Sequence, residues 1–549
     1  MGWLLALGVL GAPPTTLAQG RTEPAAPAAG PLARLEAAWL ELRTLHDQLG
    51  VTRNLGDSVS PRGVPVDILA ARTRAAAARV RALAERVTRR GLSAADSGAL
   101  GFLESELEAL SGDLTSRRAA APEPDCRDPS AEALRAAPLD SLTARTFTCY
   151  GNAARRIVVD GDTLDRLSIL GLLARTDDGE RRRRLFLALE PVWRSVNGDD
   201  GGASPYRAMV RGRLARWGHA GTGTPMAERA RALGVAPDTV ERWLVRLLEA
   251  WRGVTPDSLI EPWGFHYQAG EASRLLSPLI PRDSLRPLVE RYYRALGADL
   301  ARLRVHFDLA PRAGKYPVSF TDFGGRAPIE PWIFTSYRIG GLDNLNELVH
   351  EAGHAVHIAA IRTRGAYADW PDSDTFTEAI ADIAALEIYE PAWQRKYLGR
   401  EAPLAGAIRA RYAGIALDAA WALFEIRVHR APERSPNAIW SELARDYLRI
   451  RPHPEWSWWA LRGQLVNHPG YLLNYAFGAV LIADLRARLI ARHGPFTTGD
   501  PGWYAWVAPR LYRFGRARPA RAVIAEFLGK PVSPEALLRD IARAREPGR

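Results

Sequence analysis

From Pro31 onward, apolar residues recur at intervals of three and four. Leu35, Trp39, Leu42 and Leu45 form one such stripe, and Ile68, Ala75, Val80, Leu83 and Val87 form another. This spacing puts each stripe on one face of a helix, and residues 31–120 read as three long antiparallel helices. Asp238 precedes Thr-Val-Glu241 in a capping-box arrangement that leads into Trp243, Leu244, Leu247 and Leu248. Asp283 opens another helical pattern, carrying Leu285, Leu288, Val289, Tyr292, Tyr293 and Leu296. The clearest departure is Tyr316-Pro-Val-Ser-Phe320, then Gly324-Gly325, then Trp332-Ile-Phe-Thr-Ser-Tyr337, which predicts a strand, a turn and a second strand. The fold class is therefore mainly α, with one small antiparallel β element. No internal repeat interrupts it.

The ends of the pattern set the organisation. Trp3–Ala12 is a short apolar run, followed by small residues Thr16 and Ala18 where a signal peptidase cuts. Residues 1–18 thus read as a signal peptide, 19–30 as a Pro/Ala/Gly-rich disordered leader, and 31–120 as an N-terminal helical region. The Pro-rich joint Ala121-Pro-Glu-Pro124 opens the remaining unit, 121–549. No later segment has eighteen uninterrupted apolar residues, so no stable membrane insertion is expected. Export to the periplasm or the medium also suits Cys126 and Cys149, which in an oxidising compartment would close a loop worth roughly 3 kcal/mol.

Charge alters this picture little. The formal net charge is +11, carried almost wholly by arginine; the lysines are Lys315, Lys396 and Lys530. The densest run, Arg181 to Arg184, starts a helix and reads as a solvated face, so no nucleic-acid partner is expected.

The chemistry concentrates in His350-Glu-Ala-Gly-His354. Spacing of four puts both imidazoles on one helix face, one turn apart, where both reach a single zinc ion. Glu351 lies beside them without ligating. The surrounding Leu345, Leu348, Val349, Ala352, Ala355, Val356, Ile358 and Ile361 make the helix apolar on most sides, and histidines buried there need partners. His357 is excluded as third ligand, since it lies about 10 Å from His350 along a helix whereas ligands of one zinc lie within about 4 Å. In Thr375–Leu386 only Glu378 and Asp382 are charged, and they share one face. Glu378 is assigned as the third ligand, and Asp382 as the acceptor of a hydrogen bond from His350.

With these residues the sequence resembles known zinc peptidases. His350-Glu-Ala-Gly-His-Ala-Val-His357 is similar to the signature of the thimet oligopeptidase and oligoendopeptidase F family. Glu378-Ala-Ile-Ala-Asp382, twenty-four residues beyond His354, is more similar to angiotensin-converting-enzyme-like peptidases. The clear resemblance runs from about residue 315 to 490, a weaker one reaches back towards 150, and residues 31–120 match neither group. It implies a helical ellipsoid divided by a deep substrate channel, with one zinc on its floor and short peptides as substrates. It also implies that Pro331–Tyr337 is an edge strand holding substrate backbone, through positions such as Phe334 and Ser336. Zinc would polarise the scissile carbonyl while Glu351 takes the proton of the attacking water and passes it to the leaving amine. His468, Tyr471 and Tyr475 match the stretch that supplies oxyanion and substrate contacts. Their spacing is shorter than in converting-enzyme-like proteins, and Gly478 stands where the thimet type has a tyrosine.

Three functions fit: an oligopeptidase; a carboxypeptidase anchoring the free C-terminus on a cation such as Arg338, Arg462 or His468; and an inactive peptide-binding relative. The intact set His350, Glu351, His354, Glu378 and Asp382 favours an enzyme.

Overall fold

The spacing of Leu35, Trp39 and Leu42 builds helix α1 (Pro31–Leu55), which packs with α2 (Val66–Ala84) and α3 (Ala94–Thr115) around its own apolar core. The computed structural model describes residues 30–115, 124–219, 221, 223–312, 315 and 319–545. The expected signal peptide, the leader up to residue 29, the joint residues Ala121–Glu123, and Tyr316, Pro317 and Val318 lie outside the described residues.

The rest of the chain is also mostly helical. The helix that follows Val235 begins at Pro237, so Asp238 sits in its first turn rather than capping it. Proline's fixed φ starts the helix there, and the acid suits the positive end of the dipole. Helix Leu472–His493 joins the two main cores. Leu472, Leu473 and Val480 face one built around helix Leu404–Arg430, and Phe477, Leu481 and Leu485 face one built around helix Leu342–Ala360. Cys126 and Cys149 form a disulfide with Cα atoms 5.4 Å apart, tying the chain after the joint to helix Leu139–Arg155. Among the described residues, no helix is long and apolar enough to cross a membrane.

Strands β1 (Ile157–Val159) and β2 (Asp162–Leu164) form an isolated hairpin. The sheet that positions the site has the order β3-β5-β4: β3 (His306–Asp308) runs parallel to β5 (Ile329–Phe334), and β4 (Phe320–Arg326) antiparallel to it. This corrects two expectations. Gly324 and Gly325 lie inside β4, and the chain reverses at Ala327-Pro328 instead. The physical reason is the Trp332 ring, which a Cβ on Gly324 would meet at 2.1 Å. The glycine thus answers a neighbouring strand, not a turn. The second correction is that β5 is the central strand, so β3 and β4 are the edges.

β4 also receives the N-terminal helices. Arg326 is buried, with its Nε 2.8 Å from Asp47 Oδ2 on α1 and its Nη1 3.1 Å from Asp369. Its backbone N–H donates to Thr44 Oγ1 at 3.2 Å. The Arg326 end of β4 is therefore covered by α1.

Candidate metal centre and catalytic cavity

Helix Leu342–Ala360 crosses helix Asp374–Ala385 with almost no space between their backbones. A Cβ on Gly353 would lie 2.4 Å from the Ala381 carbonyl oxygen. The glycine between His350 and His354 thus sets how near the second helix comes. Ser373 fixes that helix's start by accepting from the Phe376 N–H at 3.2 Å.

The crossing brings three donor groups together. His350 Nε2 lies 3.3 Å from Glu378 Oε2, and His354 Nε2 lies 3.6 Å from Glu378 Oε1. One ligand atom from each of His350, His354 and Glu378 falls within 4.8 Å of the others. His350 Nδ1 is 2.7 Å from Asp382 Oδ1. That contact fixes the ring with Nε2 towards Glu378. Two imidazoles and a carboxylate, with a carboxylate behind one ring and an open cavity in front, suit zinc in its catalytic form.

Electrostatics agree with a cation there. Burial opposes a charge on His350, but Asp382 and Glu378 outweigh it and raise the ring's pKa well above the ordinary value. Desolvation raises the Glu378 carboxyl, yet the hydrogen bonds from His350 and His354 hold it below the usual range. Protons on the histidines offer this carboxylate what a metal ion would.

Glu351 faces the same cavity and is buried. Thr321 Oγ1, on β4, donates to Glu351 Oε2 at 2.6 Å. Burial raises the Glu351 carboxyl above its ordinary pKa, against the pull of His350 and His354. The Trp370 ring stands edge-on to His354 at 5.7 Å. His357 is fully buried against Trp370 and Tyr512, and burial pushes its pKa down to about 3.

The cavity has a volume of about 730 Å³, and its lining includes five carboxylates, Glu347, Glu351, Asp374, Glu378 and Asp382, but no arginine or lysine. Of the residues expected downstream, Tyr471 lines it. Tyr475 lies behind, with its ring 5.5 Å from Tyr471 and 4.8 Å from the Arg462 guanidinium. His468 lines a neighbouring cavity instead. The intervening Gly470, at φ 79°, donates its N–H to the buried Glu425. Phe334 is buried in the middle strand and stacks on Phe320 at 4.9 Å, and Ser336 lies just past that strand's end. Neither lines the cavity; Ser319, Phe320 and Thr321 do.

Sequence reasoning overlooked Thr321, Glu347, Asp374 and Trp370. Glu347 stands three and four residues before His350 and Glu351, and Asp374 four before Glu378, so helical periodicity held a signal for both. No spacing signals Thr321 or Trp370, which arrive from a strand and a loop.

No protein-family model and no curated protein matches the sequence. Solved structures do match in fold. PZ peptidase A, solved with an inhibitor, aligns with a TM-score of 0.54 and 13% identity, over 93% of this chain and 96% of that one. A structure assigned to oligoendopeptidase F aligns with a TM-score of 0.52 and 16% identity, over 93% and 96%. The M32 carboxypeptidase from Deinococcus radiodurans R1 aligns with a TM-score of 0.50 and 15% identity, over 93% and 97%. This chain therefore has the mainly helical fold of these peptidase structures along nearly its whole length.

Proposed function

We propose that the protein is an exported zinc peptidase of oligopeptidase type, with residues 121–549 as its catalytic unit. The observation that carries this reading is the convergence of His350, His354 and Glu378, with Glu351 facing the same cavity. A bound zinc ion supplies Lewis-acid polarisation of the scissile carbonyl. The chain's own residues do the rest. Asp382 Oδ1 holds the His350 Nδ1 proton, which keeps the Nε2 lone pair directed at Glu378 and the cavity. Glu351 Oε2 accepts from Thr321, leaving Oε1 to take a proton from the attacking water and return it to the leaving amine. The edge strand β4 brings Ser319, Phe320 and Thr321 to the cavity, where an extended peptide would lie along it, the part expected of Phe334 and Ser336. Tyr471, which lines this cavity, is the expected downstream residue suited to an oxyanion or substrate contact; the Tyr475 ring packs edge-on to it. The disulfide is in keeping with an oxidising compartment.

The test compares the native protein with Glu351→Gln. Both are expected to bind one zinc per chain, while the variant loses cleavage of short peptides by at least ~100-fold, the usual scale for a general base. Cleavage retained by the variant overturns the mechanism, and a native protein that binds no zinc overturns the class.

A further inference from the structure

Glu425 is 0% exposed, on the helix Leu404–Arg430 that also buries Phe424 and Val428. A carboxyl group withdrawn from water is costly unless its contacts offset the loss. Its Oε1 accepts from the Gly470 N–H at 2.8 Å. A Cβ on Gly470 would meet the Pro225 carbonyl oxygen at 2.7 Å, so the loop is held between Pro225 and Glu425 at a point that only glycine fits. From helix Pro205–His219, the buried Arg213 answers the charge of Glu425 and donates its Nη2 to the Val466 carbonyl at 2.6 Å. Tyr206 on that helix and His429 complete the polar surroundings. His429 Nδ1 lies 2.8 Å from the Glu425 carbonyl oxygen, and burial pushes its pKa down to about 4, so it stays neutral.

The segment between these two anchors leads directly into the metal-centre cavity. Val466 belongs to the short helix Gln464–Asn467, and Gly470 follows four residues later. The next residue is Tyr471, which lines the cavity and caps helix Leu472–His493. Its ring has His468 at 5.8 Å, Tyr475 at 5.5 Å and the Arg229 guanidinium at 5.7 Å. Those contacts grip the ring from its sides. The bond at Gly470 holds the backbone from which the ring projects.

We infer that Glu425 is a positioning residue: with Arg213 it anchors residues 466–470 and so sets where Tyr471 stands in the metal-centre cavity. This rests on the peptidase reading and adds a means of control to it. A hydrogen bond to an ionised acceptor is about twice as strong as one to a neutral acceptor. The Gly470 N–H is therefore held more firmly by the carboxylate than by the protonated acid. Burial lifts the Glu425 carboxyl to about 7, against the pull of Arg213 and the Gly470 N–H. Below that value the group keeps its proton and the anchor is loose; above it the charge tightens the anchor. The contact that Tyr471 makes in the cavity thus strengthens as pH rises through neutrality.

The experiment follows kcat/KM for one short peptide from about pH 5.5 to about pH 8.5, either side of the Glu425 value of about 7. It compares the native protein, Glu425→Gln, Tyr471→Phe and the double variant. Glutamine keeps an acceptor for the Gly470 N–H but never the charge, and groups that titrate in both proteins cancel in the ratio of native to Glu425→Gln. That ratio is expected to rise from about one at the acid end to about fivefold at the alkaline end, the difference between a neutral and a charged acceptor. With Tyr471→Phe in both proteins it should stay near one at every pH, because Glu425 acts through Tyr471. A ratio that does not change with pH, or one that persists with Tyr471→Phe, overturns the assignment. Hydrogen exchange of the amides of residues 466–471, measured by mass spectrometry at the same pH values, keeps the two readings apart. Slower exchange in the native protein than in Glu425→Gln at the alkaline end, with no peptide cleaved by either, upholds the anchor while the peptidase reading fails. Equal exchange in the two proteins overturns the anchor whatever the activity.

Discussion

At the scale of single residues, the site depends on a few contacts of very different visibility. His350, Glu351 and His354 are legible in the sequence because a helix converts a spacing of four into a shared face. Thr321 is not, because its 2.6 Å bond to Glu351 depends on how β4 packs against that helix. Thr321→Val is expected to lower kcat about tenfold, the worth of one hydrogen bond to a charged group, with zinc content and KM unchanged. Thr321→Ser, which keeps the hydroxyl, should restore the rate; if it does not, the hydroxyl is not what orients the carboxylate. Glu425 gives a pH prediction. Burial lifts its carboxyl from 4.5 to about 7, against the pull of Arg213 and the Gly470 N–H. Between those values the unfolded chain has released a proton that the fold retains, so stability falls as pH rises through this window. Relative to Glu425→Gln, the native protein should lose at most about 3 kcal/mol of unfolding free energy from pH 4.5 to 7.5, measured by urea titration. A difference between the two proteins that does not change with pH would contradict it.

At the scale of elements, one close crossing organises the centre. Gly353 lets helix Leu342–Ala360 touch the Ala381 backbone, and a methyl group there has only backbone to displace. Gly353→Ala is expected to cost roughly 1–3 kcal/mol of stability, as for overpacking, and to weaken zinc binding by moving Glu378 away from both histidines. A chelator competition titration measures the second effect; an unchanged zinc affinity would show that the spacing is set elsewhere. Helices were the legible elements, since three- and four-residue periodicity extends over long stretches such as α1. The sheet was legible in kind but not in detail. Gly324-Gly325 looked like a turn because glycine favours turns, whereas the room it leaves is filled by Trp332 from the adjacent strand. Which strand forms the edge also depends on β3, three residues long and too short to announce itself.

At the scale of the whole molecule, the mainly helical class followed from the pattern, but the partition of charge did not. A net charge of +11 distributed along the sequence gives no hint that five carboxylates share one cavity while Arg213, Arg216 and Arg229 line the next. That arrangement is assembled from helices and a loop far apart in the chain, and only folding brings them together. The helix crossing at Gly353 has one more consequence. Its two helices belong to a single apolar core, so an ion bridging them would act as a fastener of the fold and not only as a reagent. Thermodynamic linkage then ties heat resistance to metal supply: zinc at a hundredfold excess over its dissociation constant adds about 2.7 kcal/mol. A chelator should lower the melting temperature of the native protein and of Glu351→Gln by the same amount. Metal occupancy would then be measurable by calorimetry in a protein that turns nothing over.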